Sequence, residues 1–203
     1  VIVSTYLGYP YFNLLVGICA GLIAWEYNWI VSSGRLDYGG KGLIISLIGA
    51  VLVASLKNFI MASFFLVATS FIFLGFGAAK IIKSTKTLKG LPKMEKVSYP
   101  INSLWLVAGM IYMGGACITL IWIRNEWDNG LLTAIWLLVL VWASDTGAYA
   151  AGRIIGGAKL APNISPKKTW AGLVGCVLSA CIVGAVIADI SNIENFYRLV
   201  VIS

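Results

Sequence analysis

The chain has 203 residues, 60% of them apolar and 11% charged, with a mean hydropathy of +0.90. This composition excludes an ordinary soluble domain, a fibre, a disordered chain and a disulfide framework, and assigns the protein to a bilayer. The absence of histidine also removes Ser-His-Asp hydrolysis, HExxH zinc sites, His-ligated haem and histidine proton shuttles, leaving chemistry to carboxylates, Lys, Arg, hydroxyls or a hard metal.

Six membrane segments follow in chain order: Tyr11 to Val31, Gly42 to Leu56, Phe59 to Ala79, Leu104 to Ile123, Leu131 to Ala151, and Trp170 to Ile187. Each is an apolar run near the roughly 20 residues that cross a bilayer as a helix. The second is short; at 1.5 Å per residue it rises only about 22 Å and needs a flanking extension or local thinning. The expected fold class is all-α, a polytopic transmembrane helical bundle forming one integral membrane domain over 1–203.

The net charge of +7 would suggest nucleic acid in a soluble protein, but its distribution points to topology. If all six segments cross, one side carries Arg35, Lys41, the lysines from Lys80 to Lys96, and Arg153, Lys159, Lys167 and Lys168, twelve cations in all. The other carries only Lys57, Arg124 and Arg198. The richer side is then cytoplasmic, and no nucleic-acid partner is implied. Residue 1 falls on the opposite side and is Val rather than Met, so the chain reads as a piece of a longer protein.

Lesser features have plain structural readings. Cys19, Cys117, Cys176 and Cys181 lie in apolar runs without a CxxC pair and read as small buried hydrophobes. Lys80, Lys83, Lys86 and Lys89 would form a basic stripe on a short helix, a solvated positive-inside loop or a surface for anionic headgroups. Gly17/Gly21 and Gly152/Gly156 have GxxxG spacing, which marks close helix packing.

The densest polar information runs from Trp142 to Trp170. Asp145 lies six residues before the cytoplasmic end of its segment, about 9 Å deep. A carboxylate there costs several kcal/mol unless it faces a wet cavity, a cation or a metal, so it is a functional candidate, with a helix-to-helix ion pair as the structural alternative. Ser144 and Thr146 flank it, and Tyr149 and Arg153 follow at steps of four on the same helix face. Glu26, five residues from the cytoplasmic end of its own segment, is a second intramembrane acid, either a partner for a Lys or Arg or a member of the site.

Gly152, Gly156 and Gly157 then allow close backbone approach, with Arg153 and Lys159 as cations. In Ser165-Pro166-Lys167-Lys168-Thr169, Ser165 reads as a helix N-cap and Pro166 as the first helical residue, with two lysines in the first turn. Lysines there oppose the macrodipole, yet together with free N–H groups they make a phosphate site. An acid plus a cationic helix tip suggests polyphosphate chemistry, in which a carboxylate holds a divalent cation such as Mg²⁺ and Lys and Arg neutralise phosphate charge. No GxxxxGK[ST] or GxGxxG occurs, which argues against a P-loop or Rossmann domain.

The stretch S-D-T-G-A-Y-x-x-G-R at 144 to 153, followed by K-L-A-P-x-I-S-P-K-K-T-W-x-G at 159 to 172, closely resembles the phosphatidate cytidylyltransferases, or CDP-diacylglycerol synthases. The A-W-E-Y stretch around Glu26 is similar to the early membrane region of that family. The resemblance implies a multi-pass inner-membrane enzyme, its site facing the cytoplasm, that condenses CTP with phosphatidic acid, releases pyrophosphate and uses Mg²⁺. It implies that Asp145 is a metal or nucleotide-phosphate ligand, that Arg153, Lys167 and Lys168 steady phosphates, and that Ser165 and Thr169 cap the triphosphate.

The family's later S-x-x-K-R…K-D…P-G-H-G-G-x-x-D-R stretch does not occur in these residues, so the chain is expected to carry part of the site and to be inactive alone. A homo-oligomer is left open. The rival readings are a transporter or channel for an anionic solute, and a membrane scaffold that binds partner helices.

Overall fold

The computed structural model describes residues 1–32, 38–87, 95–126, 129–163 and 165–190, with side chains described outside 76–102 and 188–190. Its elements are α1 (Ile2–Leu7), α2 (Tyr11–Val31), α3 (Tyr38–Ser55), α4 (Phe59–Thr87), α5 (Glu95–Glu126), α6 (Gly130–Ile154), β1 (Lys159–Ala161), β2 (Ser165–Thr169) and α7 (Trp170–Ile190). Among the described residues the fold is therefore helical, apart from one two-stranded antiparallel ribbon.

All six expected segments are helices. Five of them, α2, α3, α5, α6 and α7, contain apolar windows of at least 18 residues, long enough to cross a bilayer, and α4 contributes the apolar stretch Phe59–Gly75 within its 29 residues. The doubtful second segment reaches 18 residues because it starts at Tyr38, four residues before the apolar run. Arg35, Lys89, Lys93 and Arg198 lie outside the described residues, as do the side chains of Lys80, Lys83, Lys86 and Lys96.

The contacts divide the chain into two compact units, Val1–Leu131 and Leu132–Ser203. In the first, α3 and α5 each touch both α2 and α4. The buried stripe of α2, Phe12, Val16, Ala20 and Ala24, repeats every four residues. It meets Leu43, Leu47 and Ala50 of α3 and Met110 and Ile121 of α5. In lipid such contacts gain little from water exclusion, because the surroundings are as apolar as the core; close packing and hydrogen bonds hold the helices together. Tyr27 shows both, since its hydroxyl donates to the Trp105 carbonyl at 2.6 Å while its ring lies where a Cβ on Gly109 would stand.

Polar links gather at the opposite end of this unit. Arg124 donates from Nε to the Thr5 carbonyl at 2.6 Å and from Nη2 to the Tyr6 carbonyl at 3.1 Å, tying α1 to the end of α5. Asn125 donates to Asn13 Oδ1 at 3.0 Å, and Lys57 Nζ lies 3.2 Å from Glu126 Oε1. Lys57 and Arg124, which the sequence assigns to one membrane face, thus occur at one end of the bundle.

In the second unit, α6 and α7 approach backbone to backbone. A Cβ on Gly175 would strike Ala151 Cβ and the Gly147 carbonyl, one on Gly147 would strike Ser179, and one on Gly172 would sit 3.0 Å from the Ala148 carbonyl. Glycine is required at Gly147 and Gly175, where no side chain fits between the helices, and Gly172 is tightly packed. The Gly17/Gly21 pair is a packing feature as well, each lying against α3 side chains at ordinary contact distance. The Gly152/Gly156 pair divides: Gly152 is in the crossing, whereas Gly156 follows the helix end at φ +64° with nothing within 4 Å of its Cβ position.

Gly175→Leu should therefore overpack the crossing and lower stability by about 1–3 kcal/mol or more, read as thermal unfolding in detergent. Lys57→Ala, which removes a cation whose side chain is 72% exposed, should change it by less than about 1 kcal/mol. An unchanged Gly175→Leu melting curve would contradict the packing described here.

Candidate active site

The C-terminal turns of α6 carry the acid–phenol–guanidinium stripe. Asp145, Tyr149 and Arg153 are all exposed, at successive steps of four along the helix. Arg153 Nη1 donates to Tyr149 Oη, and its guanidinium lies 5.8 Å from the centroid of the Tyr149 ring. The phenol thus holds the guanidinium at the helix end without neutralising its charge. Among the described residues Asp145 forms no hydrogen bond or ion pair, so the helix-to-helix salt link has no support among them.

The hydroxyls beside Asp145 are engaged locally. Ser144 donates to the Val141 carbonyl at 2.8 Å and Thr146 to the Trp142 carbonyl at 2.7 Å, each satisfying its proton on its own helix. Their oxygens keep acceptor capacity. A groove of about 460 Å³ runs between α6 and α7 and includes Trp142, Thr146, Gly147, Ser179 and Ile182 in its lining. It is mostly apolar and begins one residue from Asp145.

The segment after α6 corrects the sequence expectation. Ser165 is not a helix cap and Pro166 is not a first helical residue; Ser165–Thr169 is strand β2, and α7 starts at Trp170. Thr169 is the cap, its Oγ1 accepting from Gly172 N–H at 3.1 Å. The decision is nonlocal. Lys159 pairs with Thr169 and Ala161 with Ser165 across the ribbon, and Trp170 N–H donates to the Ala158 carbonyl at 3.1 Å, which keeps 165–169 extended. Buried Thr169 also lies against Gly152 of α6, where its hydroxyl stands 3.2 Å from the Cβ position, a tight fit for any side chain.

The lysines consequently precede the helix and escape the dipole penalty that a first-turn position would carry. The register shifts between the two ladder pairs, so that Pro166, Lys167 and Lys168 stand opposite the single residue Leu160. This is a bulge, and Pro166, lacking an N–H, suits it. All three bulge residues are exposed, and Lys159 is exposed on the partner strand. Three lysines and Arg153 thus ring the ribbon and the adjoining end of α6, and the Gly152–Thr169–Gly172 contact fixes the ribbon to that helix.

Glu26 belongs to the other compact unit, on α2, where it is exposed and has no hydrogen bond or ion pair among the described residues. No group of three His, Cys, Asp or Glu side chains able to hold a metal occurs among the described residues. Asp145 alone fits a Mg²⁺ ion in one way, as a single carboxylate ligand to a cation whose other ligands are water and substrate phosphate oxygens. The sequence reading missed the small-residue crossing that joins these parts; Gly147 and Ala151, four apart and facing Gly175, were its readable signal.

Thr169→Ala should cost about 1 kcal/mol through loss of the cap, whereas Thr169→Ser should keep most of it. Thermal unfolding of the two variants in the same detergent checks this, and equal melting would remove the capping role.

The whole chain, residues 1–203, matches the cytidylyltransferase family model. The phosphatidate cytidylyltransferase of Brucella suis biovar 1 is 38% identical over 86 residues, covering 42% of this chain and 32% of that protein. That of Rickettsia conorii is 42% identical over 94 residues, covering 45% and 40%. The Haemophilus influenzae protein of the same name is 41% identical over 64 residues, covering 32% and 22%. The chain thus spans less than half the length of these relatives. No solved structure matches it. Helical membrane architecture, the acid-bearing α6 with its basic ribbon, and the match over the full length together mean that the chain belongs to the cytidylyltransferase family.

Proposed function

We propose that the chain is the membrane-embedded part of an enzyme that condenses CTP with phosphatidic acid, giving CDP-diacylglycerol and pyrophosphate. In this reaction a phosphate oxygen of the lipid attacks the α-phosphorus of CTP. A new P–O–P linkage forms, and the bond to the β-phosphate breaks, releasing pyrophosphate. Such a displacement needs charge neutralisation on a triphosphate where hydrocarbon and water meet.

The observation that carries the reading is an exposed Asp145, unpaired among the described residues, on the same helix end to which a bulged ribbon of lysines is fixed. Arg153, Lys159, Lys167 and Lys168 bind and orient the triphosphate, with Tyr149 holding Arg153 in place. Asp145 contributes the carboxylate for Mg²⁺, which when bound neutralises phosphate charge. The apolar groove beside Thr146 receives an acyl chain of phosphatidic acid. Ser144, Ser165 and Thr169 offer hydroxyl oxygens at the edge of this arrangement. The basic end of α6 and the ribbon face the cytoplasm in a bacterial inner membrane, in keeping with the loop-charge imbalance.

The test uses the intact full-length protein in detergent with labelled CTP, phosphatidic acid and Mg²⁺, scoring lipid-linked CMP. Asp145→Asn should abolish the product. Lys167→Ala and Lys168→Ala should each raise the CTP concentration required by about tenfold or more, the effect of one lost charge-assisted contact. Full activity in Asp145→Asn, or flux of an anionic solute through liposomes without CTP consumption, would overturn the reading.

A further inference from the structure

The groove between α6 and α7 carries a hydroxyl that the phosphate chemistry leaves unused. Its lining includes Val139 and Thr146 of α6 and Ser179 and Val183 of α7. The helices are antiparallel here, since Gly152 meets Thr169 and Gly172 while Gly147 meets Gly175 and Ser179. Thr146 lies seven residues, about 10 Å, from Arg153, and Ser179 nine residues, about 13 Å, from the start of α7. Val139 and Val183 lie farther still from the ribbon. The hydroxyls therefore mark the ribbon end of the groove, and apolar surface dominates the rest.

The two hydroxyls differ. Serine and threonine in a helix can satisfy their proton on the carbonyl four residues back, as Thr146 does on Trp142. Ser179 does not. Its Oγ is turned towards α6, into the place that a Cβ on Gly147 would take, and it forms no hydrogen bond among the described residues. The hydroxyl is also open. Asn13 Nδ2 and Trp136 Nε1 are the only enclosed side-chain nitrogen or oxygen atoms without a partner among the described residues, and Ser179 is half-buried on the groove wall.

A hydroxyl proton facing hydrocarbon is stabilised by a neutral acceptor that enters with an apolar ligand. A packed helix would bring none, because its own carbonyls are used internally. Cations on the ribbon, Asp145 beside the mouth of the groove, a free donor inside it and an apolar trough beyond occur in the order in which a diacyl lipid presents its phosphate, its ester carbonyl and its chain. We propose that the Ser179 hydroxyl donates to an acyl-ester carbonyl of the phosphatidic acid, so that the site selects ester-linked over ether-linked lipid. This rests on the function proposed above and adds the group by which the lipid is recognised below its phosphate.

The test uses the intact full-length enzyme in mixed micelles with Mg²⁺ and saturating labelled CTP. It compares dioleoyl phosphatidic acid with its dialkyl ether counterpart, which keeps the phosphate and both chains but lacks the ester carbonyls. In the wild type kcat/KM should be about fivefold higher for the ester lipid, the scale of one net hydrogen bond. Ser179→Ala should lose that factor with the ester lipid alone, leaving the ether lipid, the CTP requirement and the melting temperature unchanged. Equal use of the two lipids by the wild type, or an ester preference that survives in Ser179→Ala, overturns the inference while leaving the condensation reaction in place. An equal fall with both lipids in Ser179→Ala, which would assign the hydroxyl to helix packing, overturns it as well. Failure of the wild type to form lipid-linked CMP from either lipid overturns the proposed function, and this inference with it.

Discussion

Backbone contact between α6 and α7 is the constraint on which the candidate site depends. Gly147, Gly172 and Gly175 leave only small side chains such as Ala151 and Ser179 in the crossing, so the two helices come into contact through carbonyls and α-carbons. In a bilayer this close approach supplies the dispersion and weak polar contacts that replace the absent hydrophobic drive. It also has a chemical consequence. Gly152 receives the Thr169 hydroxyl, Thr169 caps α7, and the ribbon ending at Thr169 is thereby held against the helix that carries Asp145 and Arg153. A larger residue anywhere in the crossing would separate the acid-bearing helix from its lysines.

Polar groups follow two regimes in this protein. In the first unit several are spent on structure: Arg124 on carbonyls of α1, Lys57 on Glu126, Asn125 on Asn13, and Tyr27 on a carbonyl of α5. Along the exposed stripe of α6 and the ribbon they are left open, with Asp145 unpaired among the described residues and the lysines in the bulge exposed. An open set of charged groups gathered on one helix end and the ribbon attached to it marks that region as the candidate site. Arg153 is intermediate, since its bond to the neutral phenol of Tyr149 fixes its direction while leaving its charge to act on an anion.

Much of the fold was legible from the chain alone. Six apolar runs became six helices, and the doubtful run beginning at Gly42 gained its missing length from Tyr38 onward, residues too weakly apolar for a hydropathy reading to include. The stripe Asp145, Tyr149 and Arg153 was also legible, because a helical period is a local property and survives whatever packs around it. Ser165 as a cap was the informative error. Serine followed by proline is a valid local signal for a helix start, and nothing within those residues contradicts it.

The sequence by itself determined membrane residence, the number and order of the apolar helices, and the residues able to meet a phosphate, since hydropathy, charge and helical spacing are all properties of neighbouring residues. Tertiary structure alone decided that Thr169 rather than Ser165 caps α7, that the lysines occupy a bulge rather than a helical turn, and that Arg124 binds α1. Each of those outcomes depends on groups distant along the chain: Lys159 across the ribbon, Gly152 on the facing helix, and the carbonyls of Thr5 and Tyr6. A one-dimensional pattern records what a segment can do, and only the contacts it meets after folding select among those conformations.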